Sequence, residues 1–245
     1  TDRSRGLGDV YKRQAMAADS WPAVPDEGTE GVVFVDNQKV SEEDYTNGTR
    51  FVYTNDGTNS PSGFFDVNAG ANNTFTKEVW ATASGADTQA HALYARGEGV
   101  KLTNTGSVYI QADETARSWK QKGMLAQDGA TAINNGVIVA QNAYGMTVGT
   151  GDVASTIQND KSITVLKEGA GMELGGANGS KAINNGTITV SDISSWGHGV
   201  LIDSNTDGVT FTNNGEIRVG DNASAIEVKD GASNTTIVLL SLIHI

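Results

Sequence analysis

The chain has no cysteine, only three prolines (Pro22, Pro25 and Pro61), and no apolar run of membrane-spanning length. Without Cys, neither a disulfide framework nor a thiolate zinc site can form. Secreted proteins often rely on disulfides, so a large chain without them needs another source of stability, such as repetition. A membrane-spanning helix would need roughly 20 apolar residues in succession, and no such stretch occurs. Positive charge is also scarce: 17 Lys and Arg face 29 Asp and Glu, a net charge of −12. No basic stripe is available to displace counterions from a phosphate backbone, so nucleic acid is not expected as a partner.

What is abundant is Gly, with 30 residues, together with Asn, Thr and Val. Gly, Asn and Thr are poor helix formers; Thr, Val and Ile suit strands, and Asn and Gly suit turns. No helical periodicity stands out after residue 30, so an all-β chain is expected.

The two ends read differently from the rest. TDRSRGLGDVYKRQ (residues 1–14) and LSLIHI (240–245) look like translated sequencing-adaptor DNA and are set aside as non-native. Four of the 17 basic and two of the 29 acidic residues lie in the first fourteen, so without the ends the net charge deepens to −14. Residues 15–29 are read as the end of a signal peptide and the mature N-terminus, because Ala15-Met16-Ala17 before Ala18-Asp19 fits a signal-peptidase site.

Self-similarity carries the fold. LTNTGSVYI from Leu102, AINNGVIVA from Ala132, IQNDKSITV from Ile157, AINNGTITV from Ala182 and FTNNGEIRV from Phe211 share one frame. Asn recurs in all five, as Asn104, Asn134, Asn159, Asn184 and Asn213. Gly follows two residues later as Gly106, Gly136, Gly186 and Gly215, with Lys161 the one departure. Between these frames come Gly123-Met124-Leu125-Ala126, Gly145-Met146-Thr147-Val148, Gly171-Met172-Glu173-Leu174, Gly199-Val200-Leu201-Ile202 and Ala225-Ile226-Glu227-Val228. Each repeat is therefore expected to carry two short strands with variable connections.

Ile188 and Val190, two apart, face one side of a strand, and Thr187 and Thr189 the other. A single such coil cannot stand alone; stacked copies pair in parallel and bury a continuous apolar column. Parallel connections strongly prefer the right hand. The pattern predicts a right-handed parallel β-helix over residues 91–239, with an N-terminal β-rich cap and first irregular coils over 30–90. A leucine-rich repeat and a calcium-binding β-roll fit less well because their signature residues are missing, and a propeller because it needs about four strands per blade of roughly 40 or more residues. The recurring Asn suits a turn, and its amide both donates and accepts, so a stacked Asn ladder is expected. Asn-x-Ser/Thr sequons, as at Asn185 and Asn222, arise by chance in turns of this composition.

These Asn-x-Gly-x-Ile-x-Val coils alternating with Gly-Met-x-Val segments resemble passenger domains of Gram-negative autotransporters, especially adhesin-type passengers. The resemblance covers roughly residues 90–238. It implies an extracellular or cell-surface location after passage through the periplasm and outer membrane. It also implies a C-terminal outer-membrane β-barrel as the chain's own partner, of which no sequence is present. Lack of Cys suits that route. A non-catalytic rod for adhesion follows, its partner a host or bacterial surface protein or glycan.

Catalysis is the competing reading, since parallel β-helices include pectate lyases and glycosidases. A Gly-x-Ser-x-Gly elbow and a His-Glu-x-x-His zinc pair are absent, and His91 and His198 lie about four repeats apart. Glu42-Glu43-Asp44 reads as a solvated charged run. No catalytic residue, metal site or cofactor is assigned, although paired carboxylates of a polysaccharide-processing enzyme could come from distant positions. The candidate binding surface lies in two loops, Gln111–Lys122 with Trp119 and Lys120, and Ser191–His198 with Trp196 and His198. Each Trp folding back onto the rod is the alternative.

Overall fold

The computed structural model describes residues 21–58, 63–68, 71–191, 196–241 and 243–244. Their strands stack in parallel into three sheets, here called A, B and C, of nine, seven and seven strands. One turn runs through all three, for example Lys181–Asn184 in sheet C, Thr187–Val190 in sheet A and Gly197–Ile202 in sheet B. Six complete turns begin at Asn72, Lys101, Thr131, Thr156, Lys181 and Thr210. The all-β solenoid is thus the fold.

Each repeat carries three strands where the sequence pattern suggested two. The shared nine-residue frame bends in its middle: residues up to the Asn belong to sheet C, and those after the Gly to sheet A. Alternation on either side of the bend hides it, because both halves point apolar residues to one core.

Register turns that alternation into columns. In sheet A, Val79, Val108, Ile138, Ile163, Ile188 and Ile217 stack directly upon one another, all fully buried. Leu102, Ala132, Ile157, Ala182 and Phe211 do so in sheet C. Leu93, Met124, Met146, Met172 and Val200 form the sheet B column. Each larger apolar side chain so buried contributes ~1.5–3 kcal/mol, and none has this environment without the turn above and below.

The corner between sheets C and A is held by the five asparagines, all with no exposed surface. Asn104 Nδ2 donates to Asn134 Oδ1, Asn134 to Asn159 and Asn159 to Asn184, each at 2.8 Å, and Asn184 donates to Asn213 at 2.7 Å. The second amide hydrogen of Asn184 reaches the Glu216 carbonyl at 3.2 Å, and Asn134 reaches that of Ser162 at 3.1 Å. Phe75 occupies the Asn position below Asn104, and Leu239 the one above Asn213.

Glycine follows two residues on because the preceding turn's backbone is too close for a side chain. A Cβ at Gly136 would lie 2.1 Å from the Gly106 carbonyl oxygen, and one at Gly215 2.0 Å from that of Gly186. Lys161 takes this position in one turn, where Ser162 N stands 3.5 Å from Gly136 O; the equivalent bond from Thr187 to Lys161 is 2.7 Å. The backbone there has opened to admit a Cβ.

Toward the N-terminus, parallel pairing already begins with Val32–Asp36 on Arg50–Asn55. Glu42–Asn47 is a short α-helix, contrary to the expectation of none beyond residue 30. Ser41 caps it, its Oγ accepting from Asp44 N at 3.0 Å, and Glu42, Glu43 and Asp44 place negative charge in its first turn. Tyr45 from this helix packs over Phe51, Phe65 and Phe75, with centroids 6.1, 4.9 and 5.9 Å away, and covers the end of the apolar column. Residues 1–14 lie outside the described residues.

At the other end, Ile243 and His244 pair with Ile217 and Arg218 as a ninth strand of sheet A. The final six residues read as non-native, yet two of them continue the stack. An open sheet edge accepts a short β-prone segment whatever its origin.

A candidate binding groove on the outward face of sheet B

Sheet B departs from strict alternation. In four of the six turns a Gly and the Met or Val after it both face the core, with Ala92-Leu93 and Ala225-Ile226 at the same register in the other two: a Cβ on Gly145 would meet Ile163 Cγ2 at 2.6 Å, and Met146 is fully buried. The residues on either side of this pair therefore both face outward. Register aligns them into two rows. His91, Lys122 and Tyr144 run along one, which Ala170 and His198 continue. Tyr94, Leu125, Thr147, Glu173, Leu201 and Glu227 run along the other. Tyr144, Ala170 and Leu201 form a small apolar cluster of their own, separate from the main core.

Two adjoining depressions of about 410 and 620 Å³ lie over these rows. Trp119, Glu173 and Asp203 border both. Trp196, Tyr144, Glu168, His198 and Lys229 belong to the smaller, and Lys120, Lys122, His91 and Tyr94 to the larger. One wall comes from a loop insertion between sheets A and B. Residues 113–120 separate Ser107–Ala112 from Gln121–Gln127, ending in the short 3₁₀ turn Ser118–Lys120.

The structure brings the sequence-selected residues together. Trp119, Trp196 and His198 line the smaller depression, and Trp119 and Lys120 the larger. Trp119 is 48 % exposed and Trp196 63 %. Arg117 and Lys120 lie 5.9 and 5.2 Å from the Trp119 ring. His198 is in the strand Gly197–Ile202, not in the loop, and is buried.

The lysines on this face are matched one by one. Lys122 and Glu173 form a buried ion pair, to which Thr147 Oγ1 adds a hydrogen bond at 3.0 Å. Lys122 Nζ also lies 4.1 Å from the centre of the Tyr144 ring. Burial pulls the Lys122 pKa down, and Glu173 opposes that pull. Lys120 bonds Asp87 at 2.9 Å and holds its carboxyl below the usual range. Lys229 meets Asp203 at 3.1 Å.

The two histidines of this face are neutral at pH 7. Burial, reinforced by Lys122, pushes the pKa of His91 down to about 3. Burial also lowers that of His198, whose Nδ1 lies 3.1 Å from Glu227 Oε2, in ion-pair range but without hydrogen-bond alignment. Among the described residues, no group of three or more His, Asp or Glu side chains converges to hold a metal ion.

Sequence reasoning missed Tyr144, Glu168, Glu173, Asp203 and Lys229. Aligning the Gly-Met segments turn by turn would have put Thr147 beside Glu173 and Lys122 beside Tyr144. What hid the face was the doubled inward step at Gly-Met, which a strict period of two does not anticipate.

No curated protein and no solved structure matches this chain. A family model does, over residues 28–236, from just before the first strand of sheet A into the last strand of sheet C. That span is most of the chain, and the protein belongs to the family of the BigA third pectate lyase-like domain.

Proposed function

We propose that this domain is a non-catalytic, rod-like module of an exported bacterial surface protein, of the autotransporter-passenger kind, and that it binds its partner through the outward face of sheet B. The observation that carries this reading is that Trp119 and Trp196, from different turns, are both exposed and both line the same groove. Exposed Trp beside a concave surface is the side chain that most often anchors recognition, and loops on a rigid scaffold are where binding groups concentrate.

A binding role is also supported by the charges. Asp87, Glu173 and Asp203 each hold a lysine. A general acid needs a carboxyl kept protonated near neutrality by burial or by another acid, and a paired carboxylate is the reverse of that.

The test is adhesion of the purified domain to bacterial and epithelial cells, compared with Trp119→Ala and Trp196→Ala. Each variant should bind at least tenfold more weakly. Incubation with pectin, other polysaccharides, protein and lipid esters should give no turnover. Hydrolysis or elimination abolished by changing one Asp or Glu would replace this reading with an enzymatic one. Adhesion unaffected by either Trp variant would remove the groove from it.

A further inference from the structure

Resting on that reading of the groove, we infer that its ligand is an uncharged oligosaccharide of several pyranose units, and not a polyuronate such as pectate. The shape fits a chain. Trp119 leads into the sheet B strand of the second turn and Trp196 into that of the fifth. Three strand spacings separate those turns, roughly 14 Å along the rod. The two depressions join across Trp119, Glu173 and Asp203, so a ligand can follow the rod axis through both. A pyranose presents one face of C–H groups and a rim of hydroxyls. Exposed indole rings match the face, and carboxylates, which only accept, match pairs of hydroxyl donors.

The charge pattern selects among sugars. Four carboxylates and three lysines line the combined groove. Each lysine is taken by a carboxylate of the protein: Lys120 by Asp87, Lys122 by Glu173 and Lys229 by Asp203. Glu168 remains in excess, beside a neutral His198. A uronate at every sugar would meet no uncommitted lysine here, only Arg117 beside the Trp119 ring at one end, and would approach a protein of net charge −12. Metal bridging could reverse that repulsion, but no cluster of three acidic or His ligands is present among the described residues. A neutral sugar meets neither obstacle, and its hydroxyls can bond the Asp203 and Glu168 oxygens without displacing a lysine.

The experiment is affinity electrophoresis of the whole domain in gels containing xylan, β-glucan, mannan, chitosan acetylated to neutrality, or polygalacturonate with and without calcium. Titration calorimetry with matching oligosaccharides follows. At least one neutral polymer should retard the protein, while polygalacturonate does not. Trp119→Ala and Trp196→Ala should each weaken retardation at least tenfold. Trp119→Phe should keep most of it, and Glu168→Gln should weaken it severalfold. Circular dichroism of every variant should match the parent, which separates lost binding from lost fold. Retardation by polygalacturonate equal to that by any neutral polymer would overturn the inference, as would neutral retardation that survives both Ala changes. No retardation by any neutral polymer, with Trp-dependent cell adhesion intact, would also overturn it while leaving the groove as the binding face. Adhesion that ignores both tryptophans would instead defeat the underlying reading.

Discussion

Replacing Asn184 with alanine removes three hydrogen bonds from a place that water does not reach. One is accepted from Asn159 Nδ2 at 2.8 Å; two are donated, to Asn213 Oδ1 at 2.7 Å and to the Glu216 carbonyl at 3.2 Å. A protein hydrogen bond has a net worth of ~0.5–1.5 kcal/mol, and a buried group left without a partner costs ~1–3 kcal/mol. Asn159 Nδ2 keeps only a 3.4 Å bond to the Thr187 carbonyl, while Asn213 Nδ2 still reaches Gly215 O at 3.1 Å. The expected loss is therefore about 3–5 kcal/mol. Asn214 provides the control one residue away. Its amide donates to Asn185 Oδ1 at 2.8 Å, but both side chains are exposed. Water replaces that bond, so Asn214→Ala should cost ~0.5 kcal/mol or less. Urea titrations followed by circular dichroism compare the two, and hydrogen exchange should show protection falling first at the Asn159, Asn184 and Asn213 corners. A double change of Asn159 and Asn184 should cost at least ~1 kcal/mol less than the sum of the singles, because they share a bond. Equal midpoints for Asn184→Ala and Asn214→Ala, or strict additivity, would refute the ladder as a source of stability.

Gly136→Ala should destabilise by at least ~1–3 kcal/mol, as overpacking against an unyielding carbonyl does, whereas Lys161→Ala should be near neutral; thermal melts distinguish them. Lys122→Met strands the buried Glu173 carboxylate and should cost ~3–5 kcal/mol, while Lys122→Met with Glu173→Leu should recover most of that loss. His91 resists protonation when folded, down to about pH 3, and the unfolded chain takes up its proton near pH 6.5. Its contribution is thus complete above pH 6.5 and is lost as pH falls toward 3, by about 1.4 kcal/mol per unit; His91→Leu should flatten that limb of the stability profile. Hydrogen exchange should be slowest in the turns over residues 132–190 and faster from 211 onward, where Ile237, Leu239 and Leu240 are exposed; uniform protection to Val238 would contradict this.

The sequence was most legible where stacking imposes one residue on every turn. Asn134, Asn159 and Asn184 occupy a site that only a buried donor–acceptor can fill. Gly136, Gly186 and Gly215 stand where a Cβ would strike a carbonyl. Such constraints recur at 25–30 residues and announce the fold. The helix Glu42–Asn47 did not announce itself, because six residues are too few for a helical period to emerge. The groove was legible only in pieces. Trp119 and Trp196 stood out as loop residues, but their meeting depends on the two intervening turns placing both side chains on one side. The Lys122–Glu173 pair spans 51 positions and two strand spacings, and no local pattern marks it.

The corner built on Asn-x-Gly has the same length in every one of its turns, since no extra residue fits between the ladder and the glycine. The passage from sheet A to sheet B has no such constraint: two residues suffice between Val137–Gln141 and Tyr144–Val148, and eight occur between Ser107–Ala112 and Gln121–Gln127. One corner acts as a fixed hinge pin, the other as an open socket. Loops can be exchanged at the socket without disturbing the pitch of the rod, so closely similar rods can carry unrelated grooves, and recognition can diversify while the scaffold stays constant.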